Sequence, residues 1–164
     1  MTADLGQVAG GGVSGQRPVT LVIPCKAEYV GLCRLVAGVL GARESLDDEV
    51  IADLKLVVTE ACTCFVWGPD SGSTPIRQAP DCGSSCSLQV DFNVMREAWE
   101  IVISDPDHKR RMPPSERCDP MSEGSLGLSI IKALVDTVEQ TDSDEAGSML
   151  RLVKRLQTRS EAAL

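Results

Sequence analysis

The chain has 164 residues, 43% hydrophobic and 24% charged, which is typical of one soluble globular domain with a single core. Its 3% aromatic content and net charge of −8 argue against base stacking and against the basic field of nucleic-acid-binding proteins. With no apolar run of about 18 residues and no signal-peptide pattern, a transmembrane helix is not predicted and a cytoplasmic location is expected.

The first predicted elements are a strand and a helix that follow a tail. Residues 1–17 are rich in glycine and lack apolar periodicity, so they are predicted to be disordered. Val19 to Ile23 is a β-branched run that ends at Pro24, which predicts a strand. From Glu28 to Leu40 apolar residues recur at helical spacing, which predicts a helix.

The clearest predicted element is a helix over residues 46–66. Ser45 stands before a cluster of acidic residues and is interpreted as its N-cap. Its broad apolar face consists of Val50, Ile51, Leu54, Val57, Val58, Ala61, Cys62 and Phe65. The helix is expected to end at Gly68-Pro69. Residues 68–87 then form a long segment of Gly, Pro, Ser and Asp, which is either functional or disordered.

The second half of the chain predicts a hairpin, a helix and a last strand. Alternating apolar residues predict strands over Leu88–Val94 and Trp99–Ser104, joined by a tight reversal near Arg96-Glu97. After a polar stretch, the apolar residues between Leu126 and Val135 predict a second long helix. An acidic turn follows, and Met149–Leu156 alternates as a strand.

The predicted order is therefore β-α-α-β-β-α-β. Strands gathered into a mixed or antiparallel sheet, with helices over one face, give an α+β two-layer sandwich. We expect one domain over residues 18–157, between a disordered tail at 1–17 and a frayed tail at 158–164.

Three places carry residues suited to chemistry. Glu60 lies one helical turn before Cys64, so it can be a general base, a metal-linked group or a solvated surface residue. Gly124 and Gly127 open an apolar helix, which favours phosphate at the helix N-terminus or simply a turn. Asp105 ends a predicted strand, where it can accept a hydrogen bond from an exocyclic amine or begin a turn.

The seven cysteines leave a thiol-based function open. Cys62 and Cys64 are two residues apart on a helix and point to different faces, so they are poor co-ligands of one zinc ion. Cys82 and Cys86 have a spacing that suits a bridge or half of a metal site, but no second pair stands at a zinc-finger distance. Buried thiols are the favoured interpretation, and a thiol sensor using Cys82 and Cys86, or Cys64, is the alternative.

Several collinear segments between Ile23 and Leu156 resemble the serine-kinase anti-sigma factors of the GHKL, or histidine kinase-like, ATPase superfamily. Pro24–Gly31 is similar to the segment that leads into the first helix of that family. Asp53–Thr63 is very similar to the helix that carries its N box. Ser122–Leu128 resembles the glycine-rich end of the ATP lid, and Gly147-Ser148 stands where the family usually has Gly-Thr.

The resemblance implies a Bergerat-type ATP site and two linked activities. Such a protein binds a sigma factor, keeps it from RNA polymerase, and uses ATP and Mg²⁺ to phosphorylate a serine of an anti-anti-sigma partner; many members pair as homodimers. By this resemblance Glu60 would be the base that orients the attacking hydroxyl, and Asp105 would hold the adenine amine. Gly124 and Gly127 would let the lid backbone approach the phosphates, and Ser148 would line the nucleotide pocket.

The chain departs from the family pattern at two site positions. The N box closes with an Asn that binds Mg²⁺ through its amide oxygen, and Cys64 occupies that position with a soft sulfur. Asp107 replaces a glycine and adds a charge near the expected nucleotide, and Pro106 stiffens the same turn. Two alternatives follow: an active serine kinase, or a catalytically degenerate binding module that regulates transcription through protein contacts alone.

Overall fold

The computed structural model describes residues 18–67, 86–107, 123–143, 145 and 147–157. In chain order these residues form β1 (Val19–Pro24), α1 (Ala27–Arg43), α2 (Asp48–Trp67), β2 (Ser87–Val94), β3 (Ala98–Ser104), α3 (Glu123–Leu134), β4 (Thr137–Ser143) and β5 (Gly147–Arg155). The predicted tails, residues 68–85 with Cys82, and Ser122 lie outside the described residues.

The five strands form one antiparallel sheet in the order β1-β2-β3-β5-β4. Every second residue of β2 is buried, as is every second residue of β3, because successive side chains of a strand point to opposite faces. The register aligns these inward residues across the sheet, for example Val90 with Ile103 and Ile101 with Leu152. The predicted α+β two-layer architecture is therefore confirmed.

The three helices pack on the buried face of the sheet. α1 contacts β1 and β2, α2 contacts β3, and α3 contacts β4, while α2 also packs between α1 and α3. Large apolar side chains from both layers are fully buried in one core, among them Leu54, Phe65, Trp99 and Ile131. No helix within the described ranges has both the length and the apolar character needed to cross a membrane.

The turn between α1 and α2 differs from the predicted N-cap at Ser45. The Ser45 N–H donates to the Ala42 carbonyl, the Leu46 N–H donates to the Gly41 carbonyl, and Ser45 has a φ of 55°. These bonds and the left-handed residue form a Schellman motif that ends α1. Ser45 therefore belongs to the C-terminus of α1, and α2 begins only at Asp48.

The last part of the chain contains a strand that the sequence did not predict. β4 lies at the edge of the sheet and pairs only with β5 among the described residues, where an acidic turn was expected. Its side chains do not alternate between buried and exposed, because an edge strand needs few inward apolar residues. The α3–β5 connection is thus part of a β-hairpin.

Candidate functional site

Glu60 and Gly127 lie against each other where α2 packs on α3. Glu60 is half-buried, and Gly127 is buried in the second turn of α3. A Cβ atom built on Gly127 would stand 2.9 Å from Oε2 of Glu60. The absence of a side chain at position 127 therefore leaves room for the carboxylate, and the fold brings the predicted base next to a predicted lid glycine.

Cys64 lies one turn after Glu60 on α2, half-buried against the apolar core. Its side chain is a thiol, as are those of the other described cysteines. Among the described residues no cluster of three or more His, Cys, Asp or Glu side chains is arranged to hold a metal ion. Since Mg²⁺ requires oxygen ligands in near-octahedral geometry, the sulfur at this position does not fit it.

Asp105 follows β3 as a buried acidic residue, with 1% of its surface exposed. Its backbone N–H donates to the Ser148 carbonyl at 3.3 Å, which extends the ladder between β3 and β5. Its Oδ1 atom accepts the backbone N–H of Asp107 at 2.9 Å. The fold thus holds the carboxylate in the interior, with Oδ1 bonded by the Asp107 N–H and the backbone bonded to β5, which suits an acceptor for a buried amine.

Ser148 is fully buried beside Asp105 at the start of β5. Its hydroxyl donates to Oδ1 of Asp142 across the β4–β5 hairpin at 3.1 Å. The preceding Gly147 has a φ of 74°, a left-handed conformation that favours glycine. This conformation explains the glycine of the Gly147-Ser148 pair, whereas Asp142 went unnoticed in the sequence because its strand was not predicted.

Asp107 has a structural partner on the neighbouring strand. Its Oδ2 atom accepts the backbone N–H of Ser87 at 2.7 Å, so the carboxylate ties the segment after β3 to the start of β2. A glycine at this position would make no such bond. The sequence offered no signal for this contact, because Ser87 and Asp107 are separated by the whole β2–β3 hairpin.

The candidate site therefore consists of two groups of residues. The α2–α3 group contains Glu60, Cys64 and Gly127, and Gly124 lies in the first turn of the same α3. The sheet-end group contains Asp105, Asp107 and Ser148. A buried carboxylate acceptor suits the amine of a nucleotide base, while the space at Gly127 is taken by the Glu60 carboxylate. The donor at position 64 does not fit the metal ion that accompanies a nucleotide.

Comparisons with known proteins identify the domain that carries these residues. The family model of the histidine kinase-like ATPase domain matches residues 23–154. Serine-protein kinase RsbW of Bacillus pumilus is 30% identical over 148 residues, which cover 84% of this chain and 86% of that protein. Its namesake from Bacillus subtilis is 28% identical over 130 residues, which cover 73% and 75% of the two chains.

The matched region spans every described helix and strand except most of β1 and the last residue of β5. It includes the N box helix and the glycine-rich start of α3, on which the resemblance to serine-kinase anti-sigma factors was based. That resemblance is confirmed, and the chain belongs to the histidine kinase-like ATPase domain family.

Proposed function

We propose that this protein is an anti-sigma regulatory factor that works chiefly by binding. In this proposal it holds a sigma factor away from RNA polymerase and releases it when an anti-anti-sigma protein takes its place. Similarity to proteins named serine-protein kinase RsbW over most of the chain supports this role. The exposed row formed by Leu32, Leu35 and Val39 on α1 also supports a binding role, since such apolar rows are typical of protein contact surfaces.

The thiol of Cys64 is the observation that favours a binding role over a catalytic one. Phosphoryl transfer depends on positioning and on metal ions that neutralise phosphate charge. A half-buried sulfur one turn from Glu60 supplies no hard oxygen donor for such an ion. The expected consequence is weak or absent Mg-ATP binding in a domain that keeps its fold.

Serine-kinase activity is the second candidate, and Glu60 is the observation that favours it. ATP, when bound, would supply the phosphoryl group. In this chain Asp105 and Ser148 would hold the nucleotide, and Gly124 and Gly127 would let the backbone of α3 approach it. Glu60 beside Gly127 would orient the attacking hydroxyl and accept its proton.

Calorimetry of the reduced protein with Mg-ATP and with ADP separates the two candidates. We expect a Kd weaker than about 100 μM, equivalent to roughly −5.5 kcal/mol. Glu60→Ala serves as the matched control, because it removes the carboxylate and leaves Cys64 and Asp105 in place. Tighter binding by the unmodified chain would contradict the degenerate site and favour the kinase.

Partner binding needs its own test, since a protein without ATP affinity is not thereby a sigma antagonist. Purified sigma factors are mixed one at a time with the chain, and complexes are detected by size-exclusion chromatography with and without core RNA polymerase. One sigma factor is expected to form a stable complex that excludes the polymerase. If none does, the binding role is wrong. Transfer of radiolabelled phosphate from ATP to a serine of an anti-anti-sigma protein would instead establish the kinase.

A further inference from the structure

The helices α1 and α2 approach each other closely along one line of contacts. A Cβ atom built on Gly41 would stand 2.8 Å from Cγ1 of Ile51, and one built on Gly38 would meet Cε of Lys55. Moving back one turn on α1 thus corresponds to moving forward one turn on α2. The two helices are antiparallel neighbours, joined by a four-residue turn between Arg43 and Asp48.

The same line of contacts continues to two cysteines. On α2 the positions that face α1 follow one helix stripe, which leads from Ile51 and Lys55 through Val58 to Cys62. On α1 the buried stripe leads back from Gly41 through Ala37 to Cys33. Cys33 and Cys62 are both 0% exposed within one apolar core, and each thiol acts on the pKa of the other, as two neighbouring side chains do.

The two thiols of this pair are not equivalent. The hydrogen bond from Cys62 lowers the pKa of Cys33, against the opposing effect of its burial. The same contact, together with burial and the nearby thiols of Cys25 and Cys64, raises the pKa of Cys62 well above its usual value. Cys33 is therefore the member of the pair that more readily supplies a nucleophilic thiolate.

We propose that Cys33 and Cys62 form an oxidation site, at which hydrogen peroxide joins α1 to α2 through a disulfide. The Cys33 sulfur attacks one peroxide oxygen, the O–O bond breaks, and the departing hydroxide takes a proton to become water. The sulfur of Cys62 then attacks the resulting sulfenic acid, its S–O bond breaks, and a second water leaves. Two thiols lose two electrons and two protons in total, and one peroxide is reduced to two waters.

Because the pair is buried, its reaction with an oxidant differs from that of a surface thiol. With 0% exposure, the sulfurs are reached only by a small neutral oxidant or when the two helices separate briefly. Once sulfenic acid forms at Cys33, the resolving thiol of Cys62 is a buried neighbour, so the disulfide competes well with further oxidation. The proposal is independent of the proposed function, because it rests on the α1–α2 contact alone.

Peptide mapping of the full chain tests the pair directly. The reduced protein is exposed to hydrogen peroxide in its native state, alkylated in denaturant, and digested with trypsin without reduction. Peptide 27–34 contains Cys33 as its only cysteine, and peptide 56–77 contains Cys62 and Cys64. The expected product is a cross-link between these peptides that lacks two hydrogen atoms, with fragment ions that assign the bond to Cys62.

Two variants provide the controls. Cys64→Ser is expected to keep the cross-link in full, whereas Cys62→Ala is expected to lose it entirely. A bond assigned to Cys64 in the unmodified chain would overturn the proposal. So would full alkylation of Cys33 after peroxide treatment that oxidises Cys86. Because fragment ions from the unmodified chain decide between Cys62 and Cys64, the test stands even if Cys62→Ala fails to fold.

Discussion

The α2–α3 group and the sheet-end group depart from the family pattern in different ways. At the sheet end, Asp107 replaces a glycine. Its carboxylate accepts a hydrogen bond from the Ser87 N–H, and its own N–H donates one to Oδ1 of Asp105. On α2, Cys64 replaces an oxygen donor with sulfur, while Glu60 nearby keeps its place against Gly127. Asp107 therefore has a hydrogen-bond partner in the fold, whereas Cys64 changes only the kind of ligand that its position can bind.

This difference separates what folding requires from what catalysis requires. A carboxylate that bridges two strands contributes to stability whether or not a nucleotide binds. A sulfur at position 64 costs the fold little, since a cysteine behaves as a small apolar residue in a core. Substitutions at the sheet end should therefore change stability first, and substitutions on α2 should change ligand binding first.

The largest expected effect is at Asp105. Asp105→Ala removes the buried acceptor of the Asp107 N–H and should lower the free energy of unfolding by about 2 kcal/mol. Asp105→Asn is the matched control, because an amide oxygen still accepts that bond, and it should cost less than half as much. Urea unfolding measures both variants. Equal losses would mean that the hydrogen bond is not what stabilises this end of the sheet.

The next effect is on ligand affinity at Cys64. Cys64→Asn supplies an amide oxygen and should strengthen Mg-ATP binding at least tenfold, or about 1.4 kcal/mol, with the gain lost in EDTA. Cys64→Ala removes the sulfur without adding an oxygen, so it should leave binding unchanged. Calorimetry decides the matter. An equal gain in affinity in the alanine and asparagine variants would show that the size of the side chain, rather than its donor atom, limits Mg-ATP binding.

A double-mutant cycle tests the contact between Glu60 and Gly127. Replacing a helical glycine by alanine stabilises a helix by about 1 kcal/mol, but here the new methyl group must displace the Glu60 carboxylate. Gly127→Ala should therefore gain its full stability only in the Glu60→Ala background, with a coupling of about 1 kcal/mol. Thermal or urea unfolding of the four proteins measures this coupling. Additive effects within about 0.3 kcal/mol would show that the two residues do not compete for space.

The smallest effect is expected at Asp107. Asp107→Ala removes the bond to the Ser87 N–H at the protein surface and should cost about 0.5–1 kcal/mol. Asp107→Asn keeps an oxygen acceptor and should be nearly neutral. Neither change is expected to alter nucleotide affinity by itself. An affinity gain in Asp107→Ala would make the charge of Asp107 one cause of weak binding. Ligand affinity would then depend on the sheet-end group as well as on the α2–α3 group.

The fold was largely predictable because apolar periodicity determines it. Alternation over β2 and β3, and the broad apolar face of α2, were visible in the sequence and are buried as expected. β4 was missed because an edge strand with exposed polar residues lacks that alternation. Ser45 was misassigned because its position before acidic residues suits an N-cap, while the Schellman bonds that it makes depend on backbone conformation.

The candidate site was predictable only in its residue types. The pairing of Glu60 with Gly127 requires the packing of α2 on α3, which no local pattern encodes. The bonds from the Ser87 N–H to Asp107 and from the Ser148 hydroxyl to Asp142 join neighbouring segments of the sheet. Their partners follow from strand register, and one of them lies in the strand that the sequence did not reveal.

The strand order has a consequence for how the chain is made. Among the described strands β5 is the last to leave the ribosome, yet it lies inside the sheet between β3 and β4. Until it emerges, the open edge of β3 with Ile101 and Ile103 has no neighbour, and the sheet remains two separate pieces. A nascent chain that stalls before Gly147 therefore exposes an apolar strand edge, and we expect chaperones and proteases to recognise that species rather than a nearly finished domain.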